Sequence, residues 1–160
     1  MNAKPDHTEI FQLHYCYYLE HMTEYFHRRV FNFVSFVQVI MGGTIMADFS
    51  KGFIPGLVIT ALSAFMFVYK PGEIAGNARL QARRYERLMN RRTTISQPEL
   101  INALSDCAEF DSSILGSLTK PAYVRAAIAT GCNSEVIIKE RQSLSGLERI
   151  FAFISGGIPH

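Results

Sequence analysis

Hydrophobic and polar positions divide the chain into two sharply different textures. Eighteen consecutive residues from Val30 to Ala47 carry no charge, and neither do the seventeen from Phe53 to Tyr69, with the link "DFSKG" between them. The first run has no polar face: Phe31, Phe33, Val34, Phe36, Val37, Val39 and Ile40 leave only Asn32, Ser35 and Gln38 as breaks. A helix that is apolar all round is buried on every side, in protein or in lipid. Two such helices are hard to hide inside a soluble chain of 160 residues. At about 1.5 Å per residue each run reaches roughly 26 Å, against about 30 Å of hydrocarbon, a gap that snorkelling Arg and Lys or local thinning closes. The second run holds nine Leu, Ile, Val or Phe residues. They favour insertion by roughly 3–5 kcal/mol before Pro55, Gly56, Thr60 and Ser63 are set against them. The first run has nine as well but carries Asn32 and Gln38, so it is expected to insert as half of a hairpin.

The flanking segments predict further helices. Upstream, "HTEIFQLHYCYYLEHMTEYFHRR" has no Pro or Gly, and Asp6 or Thr8 suits an N-cap with Glu9 in the first turn. This predicts one long helix that continues into the first run. Its aromatic surface (Phe11, Tyr15, Tyr17, Tyr18, Tyr25 and Phe26) needs a packing partner, and the helix after the second run is the simplest supply. That helix, "KPGEIAGNARLQARRYERLMNRR", starts at Pro71-Gly72 and has Ala78, Ala82, Tyr85 and Met89 on one side, Leu80, Arg84, Arg87 and Arg91 on another. A helix from about Pro98 to Leu115 is expected next, burying Leu100, Ala103, Leu104, Cys107 and Phe110. A short helix from near Pro121 to Gly131 follows. "LSGLERIFAFISGG" predicts a last amphipathic helix ending in Gly156-Gly157, suited to a membrane surface. The expected fold class is all-α: a two-helix transmembrane hairpin (30–69) between an N-terminal cytosolic helix (1–29) and a small cytosolic helical bundle (70–160).

Charge orients this arrangement. Arg28 and Arg29 precede the first run, Lys70, Arg79, Arg83, Arg84, Arg87, Arg91 and Arg92 follow the second, and the link has only Lys51. The positive-inside rule then places both termini in the cytoplasm. Arg28, Arg29, Lys70, Arg79, Arg83, Arg84 and Arg87 are expected as headgroup anchors, each contributing about 1 kcal/mol near an anionic leaflet. Tyr25 and Tyr69 suit an interfacial aromatic belt. A net charge of +2 is too small to imply nucleic acid. No RNA-binding or phosphate-loop motif accompanies the basic helix, so the lipid bilayer is the expected partner and no specific nucleic-acid binding is expected. Three cysteines without CxxC spacing suggest neither a disulfide framework nor a zinc site. The polar and aromatic first thirty residues are unlike a secretory signal, so no cleaved leader is expected.

Inside the runs, Ser35, Gln38 and Gly42 share a face, while Gly52, Gly56, Thr60 and Ala64 recur every four residues on the second, with Ser63 adjoining. Small residues at this spacing let helices approach closely. One reading packs these faces against each other within the hairpin. The other makes the Ser35/Gln38 stripe a pore lining or subunit contact, because intramembrane polar groups face bundle interiors or water. The absence of ionisable residues from both runs argues against a proton relay. His7, His14 and His21 share a helix face at seven-residue spacing, but each step is roughly 10 Å, too far for one metal ion. HExxH, GxSxG, Walker and CxxC patterns are all missing. No catalytic residue, metal or cofactor is expected.

Taken in order, "YYLEHMTEYFHRRVFNFVSFVQVIMGG", a second apolar run, "ARLQARRYERLM", "PAYVRAAIATGC" and "LERIFAFI" resemble the SLATT superfamily of small bacterial two-transmembrane proteins, especially stand-alone versions encoded near phage and prophage genes. The resemblance implies a helical, homo-oligomeric inner-membrane protein acting as a pore-forming or membrane-perturbing effector in phage defence, triggered by a separately encoded sensor. It brings no catalytic residues. The alternative from a different class is a non-pore membrane adaptor or scaffold, such as a phage exclusion protein, that recruits a partner through its cytosolic helices. A holin-like lysis role is disfavoured, because about ninety residues follow the second run where a lysis hairpin needs few.

Overall fold

The computed structural model describes residues 4–47 and 53–158. Asp48 and Lys51 of the link, Gly52 of the small-residue series and the terminal His160 lie outside them. Among the described residues all regular structure is helical, and two long helices are apolar enough to cross a membrane.

The first helix, α1 (His7–Ala47), runs unbroken through 41 residues, roughly 60 Å. Its start follows from local chemistry: the Asp6 amide donates to the Glu9 carboxylate at 2.6 Å, half of a capping box, with Glu9 in the first turn. Helix α2 (Phe53–Tyr69) and helix α3 (Pro71–Arg91) are separated by a single residue. That residue, Lys70, adopts a left-handed conformation (φ 45°, ψ 50°), and Pro71 opens α3, where its missing N–H is no loss. The Lys70 amide still donates to the Met66 carbonyl at 3.1 Å, and the Lys70 carbonyl accepts from Glu73 and Ile74 at 3.0 and 3.1 Å. The joint is therefore a one-residue left-handed break between the two helices.

Paired positions show that α2 and α3 run antiparallel to α1. Gln38 meets Ser63, Phe31 meets Gly72, Glu24 meets Arg79, and Glu9 meets Gln97 further on. A Cβ at Gly72 would stand 3.1 Å from the Phe31 ring, so the two backbones approach closely there. The remaining helices are short: α4 (Gln97–Ala108), α5 (Gly116–Ala129), α6 (Ser134–Gln142) and α7 (Gly146–Ile154). Capping boxes start two of them. Glu99 reaches back to the Ser96 amide at 3.0 Å, and Glu148 to the Ser145 amide at 2.8 Å. Gly131 (φ 70°) ends α5 and Gly157 (φ 74°) ends the turn after α7; there the amides of Cys132 and Gly157 return to the carbonyls of Ala127 and Ala152.

Three boundaries differ from the sequence expectation. The helix expected to reach Leu115 stops at Ala108, and Phe110, expected in its buried face, is exposed beneath the Arg84 guanidinium. Helix α5 begins at Gly116, with Pro121 inside it rather than at its start. Helix α6, which the apolar pattern did not announce, is capped by the Asn133 side chain accepting from the Glu135 amide at 2.9 Å.

The core surrounds the polar half of α1. On one side Leu19 and Met22 pack with Leu118, Ala122 and Ala152 of α5 and α7. On the other, Leu13 packs with Tyr85, Leu100 and Leu104 of α3 and α4. Beyond Arg29 the character reverses. Val34 is the sole residue of the two apolar runs, among those described, that is buried.

Candidate functional site

The two apolar runs meet along one polar contact. Gln38 donates through Nε2 to the Ser63 hydroxyl at 3.0 Å, which joins α1 to α2. Ser35 and Gly42, on the same stripe of α1, are half-buried. Thr60 is exposed and turns its hydroxyl back onto the Gly56 carbonyl at 2.9 Å, satisfying itself within α2. Cβ atoms built at Gly42 and Gly56 would meet nothing within 4 Å. Gln38 and Ser63 are thus brought together, whereas the Gly42 and Gly56 positions stand open in the single chain.

The basic residues around the runs have specific partners. Arg28 pairs with Glu24 at 3.1 Å and lies over the Tyr25 ring, 4.6 Å from its centre. Arg79 reaches the same Glu24 oxygen at 4.0 Å, and Lys70 lies 3.4 Å from Glu73. Arg29 donates to the carbonyls of Ile154 at 2.7 Å and Phe153 at 3.4 Å, the last turn of α7. A cation there satisfies carbonyls that the helix end leaves unpaired. Arg83 lines a groove with Tyr17, His21 and Glu86, Arg84 leans on Gln81 and Phe110, and Arg87 donates to the Arg83 carbonyl. At about 1.5 Å per residue, Arg83, Arg84 and Arg87 stand roughly 21–27 Å beyond Tyr69. The headgroup layer is only several Å thick on each side. The charges nearest the ends of the runs are Arg28, Arg29 and Lys70, while Arg79 stands ten residues, roughly 15 Å, beyond Tyr69.

Between these charges lies a cavity of about 490 Å³, lined by Glu24, Arg28, Phe31, Asn32, Gly72 and Arg79. Glu24 is its hub, an almost buried carboxylate between two guanidinium groups.

The polar body holds a second set of polar groups, with Glu20, Gln81, Tyr85 and Arg125 buried and Asp111 exposed at its edge. Glu20 is 1% exposed; one of its oxygens accepts the Ser112 amide at 2.7 Å and the other has no partner. Burial raises its pKa, against the pull of the Ser112 hydrogen bond. Beside it the Asp111 carboxylate accepts from the Tyr85 hydroxyl at 2.7 Å and from Gln81 at 2.9 Å. Burial pushes the nearby Cys16 thiol up to about 11, so it is an inert neutral thiol. These groups tie the linker after α4 to α1 and α3. Arg125 of α5 is buried without a carboxylate: it donates to the Gly156 carbonyl at 2.9 Å, and its guanidinium carbon lies 5.8 Å from the centre of the Tyr18 ring. No group of three or more His, Cys, Asp or Glu among the described residues is arranged to hold a metal ion.

Sequence reading did not single out Glu20, Asp111 or Arg125. Two had a visible signal. Glu20 falls at helical spacing with the buried Leu13 and Thr23, and Arg125 is the one charge in "AYVRAAIA". Asp111 carried none, because its neighbours Gln81 and Tyr85 come from a helix thirty residues away in sequence. Comparison with protein-family models, curated proteins and solved structures returns no match for this chain.

Proposed function

We propose that the chain is a two-span protein of the bacterial inner membrane, with the apolar parts of α1 and α2 crossing as a hairpin. The polar half of α1 and helices α3–α7 form a cytoplasmic body, with both termini on that side. It self-associates and acts as a membrane-perturbing or pore-forming effector in phage–host conflict. The observation that carries the membrane placement is the outward exposure of Phe33, Phe36, Val39, Ile40, Phe53, Ile54, Leu57 and Phe67. Keeping eight such side chains in water costs roughly 12–24 kcal/mol at about 1.5–3 kcal/mol each. That is as large as the whole net stability of a domain, about 5–15 kcal/mol. Lipid removes the penalty, and the Gln38–Ser63 bond gives a Gln38 N–H an acceptor there.

Self-association is supported by the open small-residue positions. Gly42, Gly43 and Gly56 have nothing within 4 Å of a Cβ, the shape that lets a second copy approach closely. The effector role rests on the resemblance to the SLATT superfamily, whose sensors are encoded separately. Inducible expression with a membrane-potential dye tests it: induction should collapse the potential, and an undiminished potential under every inducing condition sinks the effector reading.

A second reading, a non-pore adaptor, is favoured by Gln38 bonding inward to Ser63 instead of facing a lumen. In that case pull-down with the hairpin intact returns a stoichiometric partner bound to the helical body. A lone homo-oligomer counts against it.

A further inference from the structure

Helix α7 is amphipathic in two directions. Its inner side, Phe151, Ala152 and Ser155, packs on the body: Ala152 and Ser155 are buried, and the Phe151 ring stacks on Phe26 of α1 at 4.9 Å. Its outer side presents Leu147, Ile150 and Phe153, which are 66%, 55% and 78% exposed. At about 100° per residue, these three and Ile154 form one apolar arc of roughly 120°, and Leu147, Ile150 and Phe153 on it stay exposed among the described residues.

The position of that arc along α1 identifies its occupant. Phe26, Arg29 and Phe33 follow one stripe of α1 at helical spacing. Phe151 sits on Phe26, and the carbonyls of Phe153 and Ile154 are held by Arg29. The next turn of the stripe is Phe33, 68% exposed and the beginning of the apolar run. The Arg29 contact therefore ties the C-terminal end of α7 to a side chain that leaves α1 one turn, about 6 Å of rise, before Phe33. The Phe153 end of the exposed arc thus lies at Arg29, where the apolar run of α1 begins, and Arg149 borders the arc on the helix.

We infer that α7 is an interfacial helix: Leu147, Ile150 and Phe153 insert among the lipid headgroups and upper acyl chains of the leaflet that α1 enters at Arg29. The occupant of the arc is a lipid surface, and Arg29 is the latch that holds the helix at that depth. This inference rests on the membrane placement proposed above. A helix of this kind buries its apolar face about 5–10 Å into the headgroup and acyl boundary.

The chain contains no tryptophan, so a single one is a clean reporter. The full-length Phe153→Trp variant is reconstituted in vesicles containing anionic lipid, brominated either close to the headgroup or close to the chain ends. Phe36→Trp, inside the first span, serves as the control. The expected result is blue-shifted Phe153→Trp emission, quenched about twofold more by the shallow than by the deep bromines, with Phe36→Trp quenched strongly by the deep ones. Red emission, unquenched by either lipid, while Phe36→Trp is quenched, overturns the interfacial helix and leaves the spans standing. Blue emission without quenching at Phe153→Trp shows a protein cover, such as a second copy, and also overturns it. Failure of both reporters to quench, with release of the protein by alkaline carbonate, overturns the membrane placement itself.

Discussion

Gln38 and Ser63 are the two polar side chains that the spans bring into contact, and their bond decides how each is satisfied in lipid. Hydrogen bonds between membrane helices average about 0.6 kcal/mol and reach about 1.7 kcal/mol, because a separated helix also finds partners for its polar groups. Gln38→Leu should therefore lower stability by roughly 1 kcal/mol, with Ser63 free to turn onto its own helix as Thr60 does. Equilibrium unfolding of the full chain in mixed micelles measures this; a loss above about 3 kcal/mol would mean that Gln38 holds more than Ser63. The sequence restricted Gln38 to a hairpin contact, or to a pore lining or subunit contact. Only the pairing of α1 with α2 supplied Ser63, because the register of two helices is not written in either one alone.

At the scale of elements, the joint between α2 and α3 is the feature most exposed to substitution. A side chain in the left-handed region costs roughly 1–2 kcal/mol through contact of its Cβ with the following carbonyl, and Gly is free of that contact. Lys70→Gly should raise stability by about 1 kcal/mol, since the Lys70–Glu73 pair that it removes is solvent-exposed and contributes little. A thermal midpoint lower than that of the unmodified chain would show that Lys70 holds α3 in place through its charge. The expected break at Pro71-Gly72 falls where the structure has it, one residue after α2 ends. Legibility was best where local chemistry is strong: the unbroken α1, its cap at Asp6 with Glu9 in the first turn, the glycine stops. It failed for α6, whose "SEVIIKERQ" has too few apolar positions to show a period, and at the end of α4, where Phe110 looked like one more core residue. Phe110 is drawn out of the core because the linker containing Asp111 turns toward Tyr85 and Gln81, a tertiary demand invisible to local pattern.

Across the whole molecule, pH acts through groups that only the packed body buries. Burial lowers the pKa of His14, His21 and His27, with Arg92 adding to the effect at His14 and Arg125 at His21; Glu24 and Glu86 oppose it at His21. Each has one ring nitrogen buried without a partner. The unfolded chain binds protons at these sites more readily than the folded one. Their stability contribution is therefore full above the ordinary histidine value of 6.5 and is lost as pH falls below it toward the folded values. Glu20 has the opposite sign. Its raised pKa makes its contribution full below 4.5 and lost as pH rises through its folded value. Three histidines against one carboxylate set the direction in mildly acid solution. The thermal midpoint of the detergent-solubilised protein should fall from neutral pH toward pH about 5.5, and fall less steeply in His21→Gln. A midpoint that stays level over that range would show that these rings are hydrated in solution.

The sequence by itself determined the helical class, the two apolar helices and the polar surroundings, because each rests on period, run length and caps that act within one turn. It also located the charges. Tertiary structure decided what those charges do. Arg29 became the latch of α7, Glu24 the hub between Arg28 and Arg79, and Arg84 a neighbour of Gln81 and Phe110. The reason is geometric: which residue a long side chain meets depends on the register and rotation of packed helices. Those are fixed by the whole set of core contacts around α1, and no segment carries them alone.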